Sequence, residues 1–79
     1  MLQIYAPLPQ YMIETLEDGT VYVYETATQQ RLGYVFECPY TRFSSKGFYT
    51  CNHWGSLIKP TPVRSLRAAI KRYNHTLTL

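Results

Sequence analysis

The sequence predicts a small α+β domain, a three- or four-stranded antiparallel meander sheet with one C-terminal amphipathic helix packed on one face. Two observations predict this fold class. Short runs rich in aromatic and β-branched residues alternate with turn signals, and apolar residues recur with helical spacing near the C terminus. Strands joined by short turns pair as antiparallel neighbours, and an amphipathic helix has to bury its apolar side. With 79 residues, the chain has room for a single domain, 1–79.

The first half of the chain predicts an arm and a hairpin. Residues 1–9 are expected to form an extended arm, because Pro7 and Pro9 prevent a regular helix. A first strand is predicted at 11–16 and a second at 21–24. The Asp18-Gly19 pair between them indicates a hairpin, since both residue types tolerate positive φ.

Two more strands are predicted before the helix, at 31–38 and 48–54, separated by a turn at 44–47. Pro39 ends the earlier one, because proline cannot donate to a strand ladder. Alternation along it puts Leu32, Tyr34, Phe36 and Cys38 on one face, and Gly33, Val35 and Glu37 on the other. In the later one, Tyr49, Cys51 and His53 are expected opposite Phe48, Thr50, Asn52 and Trp54.

The helix is predicted over 61–74. Thr61 is a suitable N-cap, and Pro62 suits the first helical position. The apolar side repeats at i, i+3, i+7 and i+10, through Val63, Leu66, Ile70 and Tyr73. Asn74 is expected to end the helix in a left-handed conformation. Residues 75–79 are expected to be a tail that packs or frays.

Charge is divided unevenly along the chain. Residues 1–40 contain all five acids and one base, for a net charge of −4, whereas residues 41–79 contain seven bases and no acid, for +7. Such asymmetry indicates an anionic partner. In the alternative interpretations, the two halves attract each other within the fold, or the bases form a solvated face.

The residues that could carry chemistry do not form a recognisable site. Cys38, Cys51, His53 and His75 lack the close ligand pairs of structural zinc sites, so no metal and no cofactor is expected. Cys38 and Cys51 could be cross-strand neighbours, but free thiols are the expectation. Cys51 and His53, two apart on a strand, would point in parallel rather than at each other, so no catalytic activity is expected.

The N terminus has no signal-peptide pattern, and no apolar run approaches the roughly 18 residues of a membrane span. We therefore expect a cytoplasmic protein that does not contact membranes.

Binding is the function that the residues favour. Arg64, Arg67 and Lys71 would form one basic stripe on the predicted helix. The other basic candidates are Arg72, Arg42, Lys46 and Lys59. Tyr22 and Tyr24 would be exposed if the valines beside them face the helix. Lys and Arg contact phosphates, and exposed aromatic rings stack on bases, so a nucleic acid is the expected partner, with an acidic protein as the alternative. The element order resembles the strands-then-helix layout of several small DNA-binding domains, without any matching family motif.

A second function class stays open. Eight tyrosines, three phenylalanines and one tryptophan are many for this length, and such residues are enriched in protein interfaces. The alternative is therefore a protein–protein adaptor or inhibitor that uses exposed aromatics, as a monomer or a weak homodimer.

Overall fold

A computed structural model describes residues 1–38 and 47–74 of the chain. Five strands form one antiparallel sheet in the order β1-β2-β3-β4-β5. A short helix follows in the chain and contacts β4 and β5. The elements are β1 (Gln3–Ile4), β2 (Tyr11–Thr15), β3 (Val21–Glu25), β4 (Arg31–Cys38), β5 (Gly47–Asn52) and α1 (Leu66–Lys71). The α+β class, the antiparallel meander and the C-terminal helix are confirmed, but the prediction of three or four strands is wrong.

The additional strand comes from the segment that was expected to be an arm. Gln3 pairs with Ile13, and Ile4 pairs with Met12, so this segment adds β1 to the edge of the sheet. The chain reverses through a turn in which Leu8 N–H donates to the carbonyl of Tyr5. Leu8 is buried in the core and anchors this turn. The prolines exclude a helix here, as expected, but they occupy a turn between two paired strands.

The β2–β3 hairpin forms around Asp18 and Gly19 as predicted. Gly19 has a φ of 93°, which is a left-handed conformation that favours glycine. The Asp18 carboxylate accepts a hydrogen bond from Thr20 N–H at 2.9 Å, and this bond lowers the pKa of Asp18. Asp18 and Gly19 therefore act in the turn through the same properties that predicted it from the sequence.

Alternation along the strands separates two faces, one of which α1 covers. Val21, Val23 and Val35 are buried on the side of the helix, and the tyrosines between the valines of β3 point to the other side. Leu32 departs from the prediction. A bulge shifts the register, so that Val23 pairs with Gly33 while Tyr24 pairs with Arg31, and Leu32 therefore packs against the core on the helix side.

The strand predicted at 48–54 ends two residues early, at Asn52. The Asn52 side-chain oxygen accepts hydrogen bonds from the N–H groups of Trp54 and Ser56, both at 3.0 Å. Gly55, with a φ of 88°, completes the turn. The chain then runs back along the outer edge of β5, where Ile58 N–H donates to the Thr50 carbonyl and Val63 pairs with Phe48.

The helix begins later than the periodicity predicts. Ser65, not Thr61, is the N-cap, and its hydroxyl accepts a hydrogen bond from Ala68 N–H at 3.1 Å. Val63 is held in an extended conformation by its bridge to Phe48, so neither Val63 nor the residues before it can be part of α1. The helix ends at Lys71, and Arg72 is its C-cap in a right-handed conformation, so the predicted left-handed stop at Asn74 is wrong. The predicted tail at 75–79 lies outside the described residues.

Thr50 connects α1 to the sheet. It is fully buried on β5, and its hydroxyl donates a 2.7 Å hydrogen bond to the Ala69 carbonyl. Ile70 is also fully buried and Leu66 packs against the core, so these two members of the predicted apolar side are correct, whereas Val63 lies before the helix and Tyr73 after it.

Candidate nucleic-acid interface

Four exposed cations follow β5 in the chain: Lys59, Arg64, Arg67 and Lys71. We call them the helix-side cations. Lys59 lies in the linker and Arg64 immediately precedes the N-cap, whereas Arg67 and Lys71 are one turn apart on α1. The continuous helical stripe predicted through Arg64 is therefore interrupted, because the helix starts after it.

Arg72, unlike the helix-side cations, is hydrogen-bonded within the protein. Its guanidinium donates to the Thr61 carbonyl at 2.6 Å and to the Thr61 hydroxyl at 3.4 Å. These bonds hold the linker against the end of α1. Two other predicted binding residues, Arg42 and Lys46, lie outside the described residues.

The sheet order places four of the five acidic side chains away from the helix-side cations, whereas the fifth, Glu37, lies on β4, a strand that α1 contacts. Glu14, Glu17, Asp18 and Glu25 lie on β2, on β3 or in the turn between them, whereas α1 contacts β4 and β5. Within residues 1–38 and 47–74, the one ion pair joins the N-terminal ammonium to Glu14 at 3.8 Å. In this part of the chain, no ion pair joins the acidic first half to the basic second half, so the interpretation that the two halves attract each other has no direct contact to support it.

Aromatic side chains form a row on the sheet face opposite α1. The row crosses β3, β4 and β5 through Tyr22, Tyr34, Phe36 and Tyr49, all half-buried. Neighbouring ring centroids are 6.2, 6.2 and 5.5 Å apart, and the last pair is stacked. The guanidinium of Arg31 lies 4.9 Å from the centroid of the Tyr22 ring at one end. We refer to these four rings as the aromatic row.

The two predicted tyrosines therefore do not share a surface with the helix-side cations. Tyr22 belongs to the aromatic row, and the hydroxyl of Tyr24 donates to Glu14 at 3.4 Å. Partial burial, followed by the nearby Glu14 carboxylate, raises the pKa of Tyr24. An aromatic face beside a basic helix was expected, but the sheet itself lies between the two.

A groove of about 610 Å³ opens where β4 begins and β5 ends. Its lining includes Arg31, Leu32, His53, Trp54, Ile58 and Tyr73. Trp54 is 78% exposed, which is unusual for the largest apolar side chain of a small domain. Its ring centroid lies 3.7 Å from that of His53. We call this feature the Trp54 groove.

The groove residues were missed because their positions depend on two local irregularities. Trp54 leaves the sheet through the Asn52–Gly55 turn. At the bulge, Arg31 pairs with Tyr24 while Leu32 has no partner on β3. The Asn-x-x-Gly pattern could have indicated the turn. The bulge has no comparable signal in the sequence.

The two cysteines lie on neighbouring strands but not opposite each other. Cys51 pairs with Tyr34 and Cys38 with Gly47, so the two are not cross-strand neighbours and form no disulfide. Burial raises the pKa of Cys51, which keeps it a thiol rather than a thiolate. The described residues contain no group of three or more His, Cys, Asp or Glu side chains able to hold a metal ion. No helix in residues 1–38 and 47–74 is long and apolar enough to cross a bilayer.

Comparison with known proteins gives no match: no family model, no curated protein and no solved structure is significantly similar to the chain. The fold and the side-chain arrangement therefore carry the functional argument.

Proposed function

We propose that this protein binds nucleic acid, with phosphate groups contacted by the helix-side cations. One observation carries the proposal: Lys59, Arg64, Arg67 and Lys71 are exposed, and none forms an ion pair with a carboxylate of the described residues. Cations without a protein partner remain available to replace the counterions of a phosphate backbone. Four of the five acidic side chains lie on β2, on β3 or in the turn between them, and Glu37 lies on β4, so most of the negative charge is away from the β4–β5 side of the sheet that α1 contacts.

The proposal predicts a measurable salt dependence. If all four cations contact phosphates, the logarithm of the association constant falls against the logarithm of salt concentration with a slope of about −3 on single strands and about −3.6 on a duplex. Fluorescence anisotropy of a labelled mixed-sequence oligonucleotide measures this slope between about 50 and 200 mM salt. The absence of binding to DNA and RNA at the low-salt end would exclude the function.

Matched variants separate the surface from the total charge. Replacing Arg64, Arg67 and Lys71 together by Gln lowers the net charge by three and should weaken binding at least tenfold. The control carries Gln10→Glu, Thr15→Glu and Ala27→Glu, three exposed positions in the first half of the chain that give the same change in charge. It should bind within about threefold of the parent, because screening confines the interaction to about 10 Å. Equal loss in the two variants would mean that no particular surface is used.

The aromatic row supports a second proposal, self-association through the sheet face opposite α1. Four neighbouring, half-buried rings on three strands form a continuous aromatic row, and aromatic residues are enriched in interface cores. Phe36→Lys, at the centre of the row, should then abolish a dimer that sedimentation detects in the parent. A parent protein that remains monomeric at the highest attainable concentration would exclude this use of the row.

A further inference from the structure

We infer that the Trp54 groove takes an unpaired nucleobase, which makes the protein selective for single strands over duplexes. This inference rests on the proposed function and deepens it. The helix-side cations explain attraction to any phosphate backbone, because Lys and Arg do not distinguish a single strand from a duplex. The groove supplies a contact that only an unstacked base can make.

The position of Trp54 is fixed by its backbone and not by burial of its ring. Its N–H is bonded to the Asn52 side chain at 3.0 Å, and the N–H of Gly55 is bonded to the Asn52 carbonyl at 3.0 Å. The turn thus holds a 78% exposed indole beside the groove. The His53 ring, whose centroid lies 3.7 Å from that of the indole, contacts Trp54, and the exposed remainder of the indole can stack on a base.

The other lining residues suit the two chemical parts of a base, its ring and its polar edge. Leu32, Ile58 and Tyr73 belong to or pack against the core, and they form an apolar floor. Gln30 also lines the groove, and its side-chain amide can bond to base edges. The Arg31 guanidinium is directed instead to the Tyr22 ring, 4.9 Å from its centroid. A volume of about 610 Å³ lies within the roughly 300–1,000 Å³ typical of ligand sites.

Charge complementarity selects a nucleotide over a neutral aromatic ligand. Lys59 is exposed and directly follows the groove residue Ile58 in the chain. A base seated in the groove would therefore have its phosphate near one of the helix-side cations.

Trp54 is the only tryptophan, so its fluorescence reports directly on the groove. We would titrate the full chain with a mixed-sequence single strand, as DNA and as RNA, and with the corresponding blunt DNA duplex. Anisotropy of the labelled oligonucleotide and quenching of Trp54 would be recorded together. We expect at least tenfold tighter binding to the single strands, and quenching by single strands only.

Variants test whether the ring itself is responsible. Trp54→Ala should weaken single-strand binding about tenfold and leave duplex binding within twofold, while Trp54→Phe should retain most of the single-strand affinity. Leu57→Ala is the control, because Leu57 is 46% exposed in the same loop but does not line the groove. It should bind like the parent.

Failure of the inference and failure of the proposed function give different results. If single strands bind with the expected salt slope but Trp54→Ala changes nothing, the groove inference is overturned and the proposed function stands. If neither strands nor duplex bind at low salt, the proposed function fails, and this inference fails with it.

Discussion

The hydroxyl of Tyr73 donates a 2.5 Å hydrogen bond to the carbonyl of Cys51, so the chain just beyond α1 is tied to β5. The same hydroxyl lies 3.3 Å from the Tyr34 carbonyl on β4. Gly33 lies directly beside this contact. A Cβ atom at Gly33 would be 1.9 Å from the Cys51 carbonyl oxygen and 2.7 Å from the Tyr73 hydroxyl. The close approach of the β5 backbone and of the Tyr73 hydroxyl to position 33 therefore requires a residue without a side chain.

The first prediction concerns this requirement. Gly33→Ala should lower the free energy of unfolding by more than about 3 kcal/mol, because the backbone atom it meets cannot rotate away. Gly19→Ala is the control. Gly19 has a φ of 93° but nothing within 4 Å of an added Cβ, so it should cost only the backbone strain, about 1–2 kcal/mol. Urea denaturation compares the two, and equal losses would contradict the close approach.

The second prediction is a pH dependence. Burial raises the pKa of Tyr73 above its ordinary value near 10, so the folded protein holds this proton at a pH where the unfolded chain releases it. Stability from this group is complete below about pH 10 and falls as the pH rises further, by at most about 1.4 kcal/mol per pH unit. Tyr73→Phe removes the group and should flatten the decline between about pH 10 and 11.

Denaturation at pH 8 supplies the reference for this comparison. There Tyr73→Phe should cost only the hydrogen bond to Cys51, about 1–2 kcal/mol. Tyr11 and Tyr34 also have raised pKa values, so the parent and the variant will both lose stability at high pH. The difference between the two slopes isolates Tyr73. Identical slopes would mean that its hydroxyl reaches solvent.

The third prediction concerns the bond that attaches α1 to β5. Thr50→Val keeps the shape of the side chain but removes the donor to the Ala69 carbonyl, and it should destabilise the protein by about 1–3 kcal/mol. Thr50→Ser keeps the hydroxyl and loses a buried methyl group, with an expected cost of about 1 kcal/mol. If valine is tolerated better than serine, packing and not the hydrogen bond holds the helix.

The sequence was sufficient for those features that depend on local chemistry. The Asp18-Gly19 turn, the alternation along β3 and the buried side of α1 at Ile70 all follow from residue type and spacing. Each is decided within a few residues along the chain, so no knowledge of distant contacts was needed.

Features that depend on distant pairing could not be predicted in this way. The helix starts at Leu66 because Val63 is held by Phe48, fifteen positions earlier. Periodicity alone cannot reveal such a competitor for backbone hydrogen bonds. The Trp54 groove likewise combines the bulge at Leu32 with the turn after Asn52, two elements that meet only when β4 and β5 pair. The charge asymmetry was visible in the sequence, whereas the separation of the cations from the aromatic row was not.

The fourth prediction distinguishes Arg72, which holds the linker, from Arg67, which is proposed to contact phosphate. Arg72→Gln removes the bonds to Thr61 and should lower stability by about 0.5–1.5 kcal/mol, with nucleic-acid affinity changed less than twofold. Arg67→Gln changes the net charge equally, but Arg67 is exposed and bonded to nothing in the described residues. Its stability should stay within about 0.5 kcal/mol of the parent, and the salt slope of binding should fall by about 1.

Urea denaturation and anisotropy at several salt concentrations measure both effects in the two variants. The contrast matters because the two side chains carry the same charge five residues apart, so total charge cannot produce opposite patterns. If Arg72→Gln reduces the salt slope as much as Arg67→Gln does, the guanidinium of Arg72 leaves Thr61 to contact phosphate. The linker contact would then belong to the unbound protein only, and the interface would extend past the end of α1.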